Sequence, residues 1–254
     1  MRLRHIPEAK GIVEASKYVI KDPKKENRIR ETAFEKEQPL YLEIGTGKGR
    51  FIIDTALAHP ENNYIGIERY ESVLFRACLR MEGVPYSTPA DQIEQALEGI
   101  KPEDLEIPSN LRLIRADARG VADFFNEDEV GGLYLNFSDP WPKARHAGRR
   151  LTSRNFLSTY EKILKNGAVL EFKTDNKDLF AFSLEEIGLA PNWDLLYETW
   201  DLHRDPVLSE GNILTEYERK FSNLGHAICK LAARFVKPEP ETVKQEPETV
   251  KQEP

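Results

Sequence analysis

Three glycines and three acids in the first half of the chain form the pattern with the most chemistry in it. The run L-E-I-G-T-G-K-G-R, 42–50, puts Gly45, Gly47 and Gly49 between a strand-like stretch and a helix-like one. Glycines there let the backbone turn tightly and approach a ligand closely. A dinucleotide-binding GxGxxG turn, whose amides hold a pyrophosphate, is the natural comparison. This loop departs from it, because the third glycine stands at 49 and position 50 is Arg50. Glu43 lies two residues ahead of the loop. A carboxylate there repels a pyrophosphate and suits a ligand carrying an amino group and a sulfonium. Glu68 closes the next apolar run, I-G-I-E, where a carboxylate can accept both ribose hydroxyls of a nucleoside. Asp117, in R-A-D-A, could bind an adenine amino group or cap the following helix.

Together these residues resemble the S-adenosylmethionine site of class I methyltransferases. A second cluster follows the fourth strand-like run. Asn136-Phe137-Ser138-Asp139-Pro140-Trp141-Pro142-Lys143 holds two prolines, which stiffen the loop and fix Asp139 and Trp141 at a strand end. An Asp-Pro turn around a buried Trp is the structural alternative. The amino-methyltransferase motif [DN]PP[YFW] is related, but Trp141 stands where it has its second proline. From Lys143 to Arg154 the chain carries Lys143, Arg145, His146, Arg149, Arg150 and Arg154 with no acid. Such a loop beside a methyl donor suits a phosphate backbone; a solvated charged loop is the plainer reading. Thr215-x-x-Glu218 is a capping box by spacing.

These residues need elements to hold them. Strand-like runs fall at 39–44, 63–67, 111–116, 131–137, 167–173, 193–200 and 226–235, seven in all. Helix-like segments fall at 50–59, 70–81, 153–164 and 176–187. This alternation implies a doubly wound, mostly parallel seven-stranded sheet with helices on both faces. Ligands of such sheets bind beyond the C-terminal strand ends, where the motifs lie. Residues 84–110, rich in proline, interrupt the rhythm and read as a surface insertion with a helix over 91–100. A single domain, 1–236, is expected. The tail from Lys237 repeats EPETVKQ and is expected to be disordered, with too few apolar residues to offset ordering entropy.

The net charge of −7 argues mildly against a nucleic-acid partner, but three lysines and five glutamates of the tail supply −2 of it. No apolar run is long enough to cross a bilayer, and 1–20 lacks the apolar core of a secretory signal. Cys78 and Cys229 form no CxxC and read as small buried hydrophobes. His5 and His146 have no partners at metal-ligand spacing, so no metal is expected. These features suit a cytoplasmic chain with no membrane partner; monomer and homodimer are equally compatible with them.

The chain resembles the bacterial tRNA (guanine-N7-)-methyltransferase family. The match rests on R-L-R-H at 2–5, LEIGTGKG, YIGIE, NFSDPWPKARHAGRRLT, FKTDN at 172–176 and EGNILTEYERKF at 210–221. The resemblance implies a class I methyltransferase Rossmann-like fold. It also implies a donor, S-adenosyl-L-methionine, that leaves as S-adenosyl-L-homocysteine, with a site made of Glu43, Gly45, Gly47, Gly49, Glu68, Asp117 and Asp139. Asp139 falls on the family's catalytic position. Lys143, Asp175, Thr215, Glu216, Tyr217 and Glu218 match its substrate positions, and Arg145, His146, Arg149 and Arg150 its RNA-contacting segment. The implied target is N7 of guanine 46 in the tRNA variable loop. Two departures are the length of 84–110 and Gly148, where many relatives carry a basic residue.

Overall fold

The computed structural model describes residues 6–24, 29–85, 88–89, 92–98 and 106–238. The R-L-R-H motif, parts of the 84–110 insertion and the repeat tail from 239 onward lie outside the described residues. In chain order the first elements are α1 (Ala9–Ala15), β1 (Val19–Ile20), α2 (Ile29–Thr32), β2 (Leu40–Ile44), α3 (Arg50–Ala58) and β3 (Asn63–Glu68). Then come α4 (Glu71–Met81), α5 (Ile93–Glu98), β4 (Leu111–Arg115), β5 (Val130–Asn136) and α6 (Arg154–Tyr160). The last are β6 (Leu164–Thr174), α7 (Lys177–Gly188), β7 (Trp193–Thr199), α8 (Glu216–Ser222) and β8 (Cys229–Phe235). No described helix is long and apolar enough to cross a membrane.

The strands form one eight-stranded sheet in the order β1-β4-β3-β2-β5-β6-β8-β7. Neighbours from β1 through β6 run parallel, and β8 runs antiparallel to both β6 and β7. Every residue of β3 is buried, as a strand covered on both faces must be. On one face Leu42, Ile65, Leu133 and Phe172 pack with Phe156 of α6 and Phe180 of α7. On the other, Tyr64 and Leu113 pack with Val13 of α1, Ile52 of α3 and Phe75 of α4. Each such side chain contributes about 1.5–3 kcal/mol when fully buried. The strand order reverses between β2 and β5, which lie side by side. That switch point opens a crevice beyond the strands' C-terminal ends.

The seven expected strands are present, joined by the two-residue β1 at the edge, too short to leave a periodic signal. The helix expected over 153–164 stops at Tyr160. Strand pairing claims the residues after it, since Val130 N donates to Ile163 O at 2.9 Å and Leu164 pairs with Val130. Within the insertion, α5 covers 93–98 and buries Ile93 in the second core. Its flank is tied down where Arg76 Nη1 donates to Thr88 O at 2.8 Å.

Candidate active site

The glycine loop leaves β2 at the switch point. Gly45, Gly47 and Gly49 have φ of 80°, 61° and 80°, the left-handed region where a Cβ is strained. Gly49 has a further reason: a Cβ there would lie 2.6 Å from Ala77 Cβ, so glycine at 49 lets α3 pack against α4. Gly45 N and Thr46 N both donate to Ile67 O, at 2.8 and 3.1 Å, tying the loop to β3. Glu68, at the end of β3, accepts from Gly47 N at 3.1 Å and Tyr70 N at 2.9 Å. Burial pushes its carboxyl upward and these amides oppose the shift.

Glu43 sits beneath this loop, 2% exposed. Its carboxylate accepts from Thr46 Oγ1 at 2.6 Å and Asn136 Nδ2 at 2.8 Å. Burial pushes its pKa up to about 7, with the Asn136 and Thr46 bonds and the Lys173 charge pulling the other way. Folded chains therefore hold a proton here that unfolded chains release near 4.5, so this group's contribution to stability is full below 4.5 and is lost as pH rises through about 7. A cationic ligand needs the ionised form, so its affinity is expected to rise as pH passes through about 7. Calorimetric titration of the wild type and Glu43→Gln across that range checks this; equal pH dependence in the two proteins would remove Glu43 as the source.

Asp117 caps the turn Ala118–Asp123 by accepting from Arg119 N at 3.0 Å. Its oxygens also take Arg119 Nε at 3.0 Å, Arg119 Nη2 at 2.8 Å and Arg69 Nε at 3.4 Å. Arg119, above all, holds its carboxyl down at about 2. The capping reading is realised, and the adenine reading requires a ligand to share this carboxylate with two arginines.

Asp139 is exposed on a loop with two positive-φ residues, Phe137 at 51° and Trp141 at 41°. Such conformations cost about 1–3 kcal/mol each and persist only where surroundings impose them. Here Phe137 N donates to Lys173 O at 2.8 Å. Arg150 Nε donates to Pro140 O at 2.9 Å, and its Nη2 to Trp141 O at 3.2 Å. Arg150 thus turns inward, 4.2 Å over the Phe182 ring, and holds the Asp139 loop. Trp141 is half-buried against His146, edge-on at 5.6 Å, and the Arg149 guanidinium at 5.0 Å. Lys143, Arg145 and Arg149 are exposed around the short turn Ala144–Arg149. A Cβ on Gly148 would lie 3.1 Å from Asn155 Nδ2, so a longer side chain there would crowd α6.

The 200–228 segment packs against the glycine loop, the Asp139 loop and β6. Thr215 caps α8, accepting from Glu218 N at 2.8 Å, and Glu218 Oε2 accepts from Thr215 N at 3.4 Å. Glu218 is 0% exposed and also accepts from Lys173 Nζ at 2.7 Å and Asn212 Nδ2 at 2.8 Å; His203 Nε2 lies 3.3 Å from it. Those partners occupy its carboxylate, so Glu218 holds the segment together and is closed off from solvent. Tyr217 is 41% exposed, packs on Phe137 at 4.9 Å and Phe221 at 4.0 Å, and donates to Asp175 Oδ2 at 3.3 Å. Glu216 Oε1 meets Lys48 Nζ of the glycine loop at 2.9 Å. The Lys48–Glu216 and Phe137–Tyr217 contacts therefore bring the glycine loop and the Asp139 loop against the 215–218 segment. Among the described residues, no group of three or more His, Cys, Asp and Glu is arranged to hold a metal ion.

A family model described as a putative methyltransferase matches residues 37–231. A tRNA (guanine-N(7)-)-methyltransferase of Lachnoclostridium phytofermentans is 43% identical over 233 residues, covering 92% of this chain and 98% of that protein. The chain belongs to the tRNA (guanine-N7-)-methyltransferase family. Among solved structures, an antibiotic-related methyltransferase superposes with a TM-score of 0.53 at 16% identity, covering 84% of this chain and 94% of that one. A mutant of the 16S rRNA (adenine(1408)-N(1))-methyltransferase of Catenulisporales acidiphilia, solved with its cosubstrate SAM, gives 0.52 at 16% identity, covering 86% and 93%. At these identities the likeness concerns the fold alone, and it is the methyltransferase fold.

Within this methyltransferase family member, sequence reasoning missed Asn136 and Lys173 as separate contributors. Both lay inside quoted motifs. Their signal was a polar residue in an otherwise buried strand, which demands a partner. Asn136 has Glu43 as that partner, and Lys173 has Glu218.

Proposed function

We propose that the chain transfers a methyl group from S-adenosylmethionine to N7 of a guanine in tRNA, position 46 of the variable loop. The observation that carries this is the exposed Asp139, held on a strained loop between the acids of the glycine-loop side and the Thr215–Glu218 segment. The residues present fit the donor: three glycines without a Cβ allow close approach, Glu68 stands at a strand end, and Glu43 lies as a buried carboxyl behind the loop, ionised as pH passes through about 7. When bound, that donor supplies an electrophilic methyl on a sulfonium.

Guanine N7 carries a lone pair and no proton, so the chain need not supply a strong base. Its residues have to orient the base, which can lower the barrier by several kcal/mol. Methylation makes the base cationic, and Asp139 would stabilise the charge as it develops. Asp139 and Glu218 are the two carboxylates that could accept the guanine N1–H and amino group, a donor pair adenine lacks; Glu218 is enclosed, which leaves Asp139. N7 lies in the deep major groove of A-form RNA, so the target has to be accessible or displaced, as in a variable loop. A tRNA substrate goes with a cytoplasmic enzyme.

Methyl transfer from labelled S-adenosylmethionine to unmodified tRNA, compared with a G46→A transcript, tests the reading. Label on the first alone, recovered as 7-methylguanosine, is expected. Equal labelling of both would discard the position, and no labelling despite donor binding would discard the substrate.

Lys143, Arg145 and Arg149 would meet phosphates. Arg145→Ala is expected to weaken tRNA binding and to lower the salt slope of log K by roughly 1, leaving donor affinity unchanged. Filter binding across salt concentrations with donor calorimetry measures both; an unchanged slope would remove Arg145 from the RNA surface.

A further inference from the structure

We propose that Lys173 is the positioning residue that sets the Thr215–Glu218 segment in register with Asp139; the claim rests on the reading of the site as a tRNA methyltransferase centre. Lys173 is 4% exposed, near the C-terminal end of β6. Its side chain and its backbone serve different halves of the site. The ammonium donates to Glu218 Oε2 at 2.7 Å, Ile213 O at 2.9 Å and Asn212 Oδ1 at 3.2 Å. An ammonium has three N–H donors, and these three acceptors satisfy them all. The Lys173 carbonyl accepts from Phe137 N at 2.8 Å, holding the strained residue two positions before Asp139. The same ammonium lies 5.0 Å over the Phe51 ring, in the first turn after the glycine loop.

One side chain thus fixes where the target segment sits, while its own backbone fixes where the Asp139 loop begins. A charge buried this deeply is costly unless it is fully paired. The tripod of acceptors is directional, so a shift of 212–218 would break at least one bond. Only an extended cation rising from β6 reaches all three, which an apolar chain of similar volume cannot reproduce.

Lys173→Met and Asn212→Ala test this, each measured beside the wild type well below its melting temperature. Lys173→Met is expected to lower kcat/KM for tRNA by roughly 100-fold, the scale of an ångström-sized misplacement, with donor Kd unchanged when measured well above pH 7, where Glu43 is ionised without help from the Lys173 charge. Asn212→Ala keeps the buried ion pair, loses one acceptor for the ammonium and one donor to Glu218, and is expected to cost roughly tenfold. It decides the matter if Lys173→Met does not fold. A purely structural role would lower the melting temperature and leave the tRNA kinetics intact, and that result overturns the proposal. Hydrogen exchange separates the two claims. If the wild type fails to methylate tRNA, the functional reading falls. The positioning claim is then decided by the 212–218 amides: faster exchange in the variant, with β2 and β3 amides unchanged, supports it, and equal exchange overturns it.

Discussion

On the proposed function, Asp139→Asn is expected to lower methyl transfer to tRNA by roughly 100- to 1,000-fold and to leave the fold intact. The two halves of that expectation have separate causes. Asp139 is exposed, and its loop is held by Phe137 N and by Arg150 acting on the neighbouring carbonyls. An isosteric change there leaves these contacts in place, and a surface substitution of this kind shifts stability by about 0.5 kcal/mol or less. The charge is different. The methylated base is a cation, and a neutral amide cannot stabilise it as it forms. An amide oxygen can still accept one bond from the guanine edge, so the effect falls mainly on kcat. Single-turnover kinetics at saturating donor, with thermal melting alongside, read both quantities. An unchanged rate would remove Asp139 from the mechanism.

Glu218→Ala has the largest expected effect on stability. Glu218 is fully buried, and its removal leaves Lys173 as a buried cation without its ionic partner. Breaking a buried pair in this way costs about 3–5 kcal/mol. The same change deletes one half of the α8 capping box. For a domain of this size each kcal/mol moves the melting temperature by about 2–4 °C, so a fall of roughly 10 °C is expected. Glu218→Gln keeps an acceptor for Lys173 and loses only the charge, so its fall is smaller. Thermal unfolding of both variants checks the order. A Glu218→Ala protein that melts with the wild type would show that the network contributes no net stability.

The parallel sheet was legible from the alternation of short apolar runs with helical segments, because each signal is confined to about ten neighbouring residues. The departure of the glycine loop from the dinucleotide pattern was legible too, and the structure supplies its cause in the packing of Gly49 against Ala77. The capping box at Thr215 could be read from spacing, since both of its bonds span three residues. What Glu218 does with its carboxylate could not. Its partner Lys173 lies 45 positions away, and that distance closes only when β6 and the 200–228 segment meet. Arg150 shows the same limit. Within a basic run it reads as a phosphate contact, yet folding of the adjacent loop brings two carbonyls within its reach and turns it inward.

The sequence by itself determined the order of strands and helices from β2 onward, the glycine loop, the acids at strand ends and the family. The tertiary structure alone decided which of those acids are exposed and which are enclosed. Local periodicity follows from backbone geometry and is written in adjacent residues. Exposure and pairing depend on what the rest of the chain brings alongside, as where Lys48 and Glu216 meet across 168 positions.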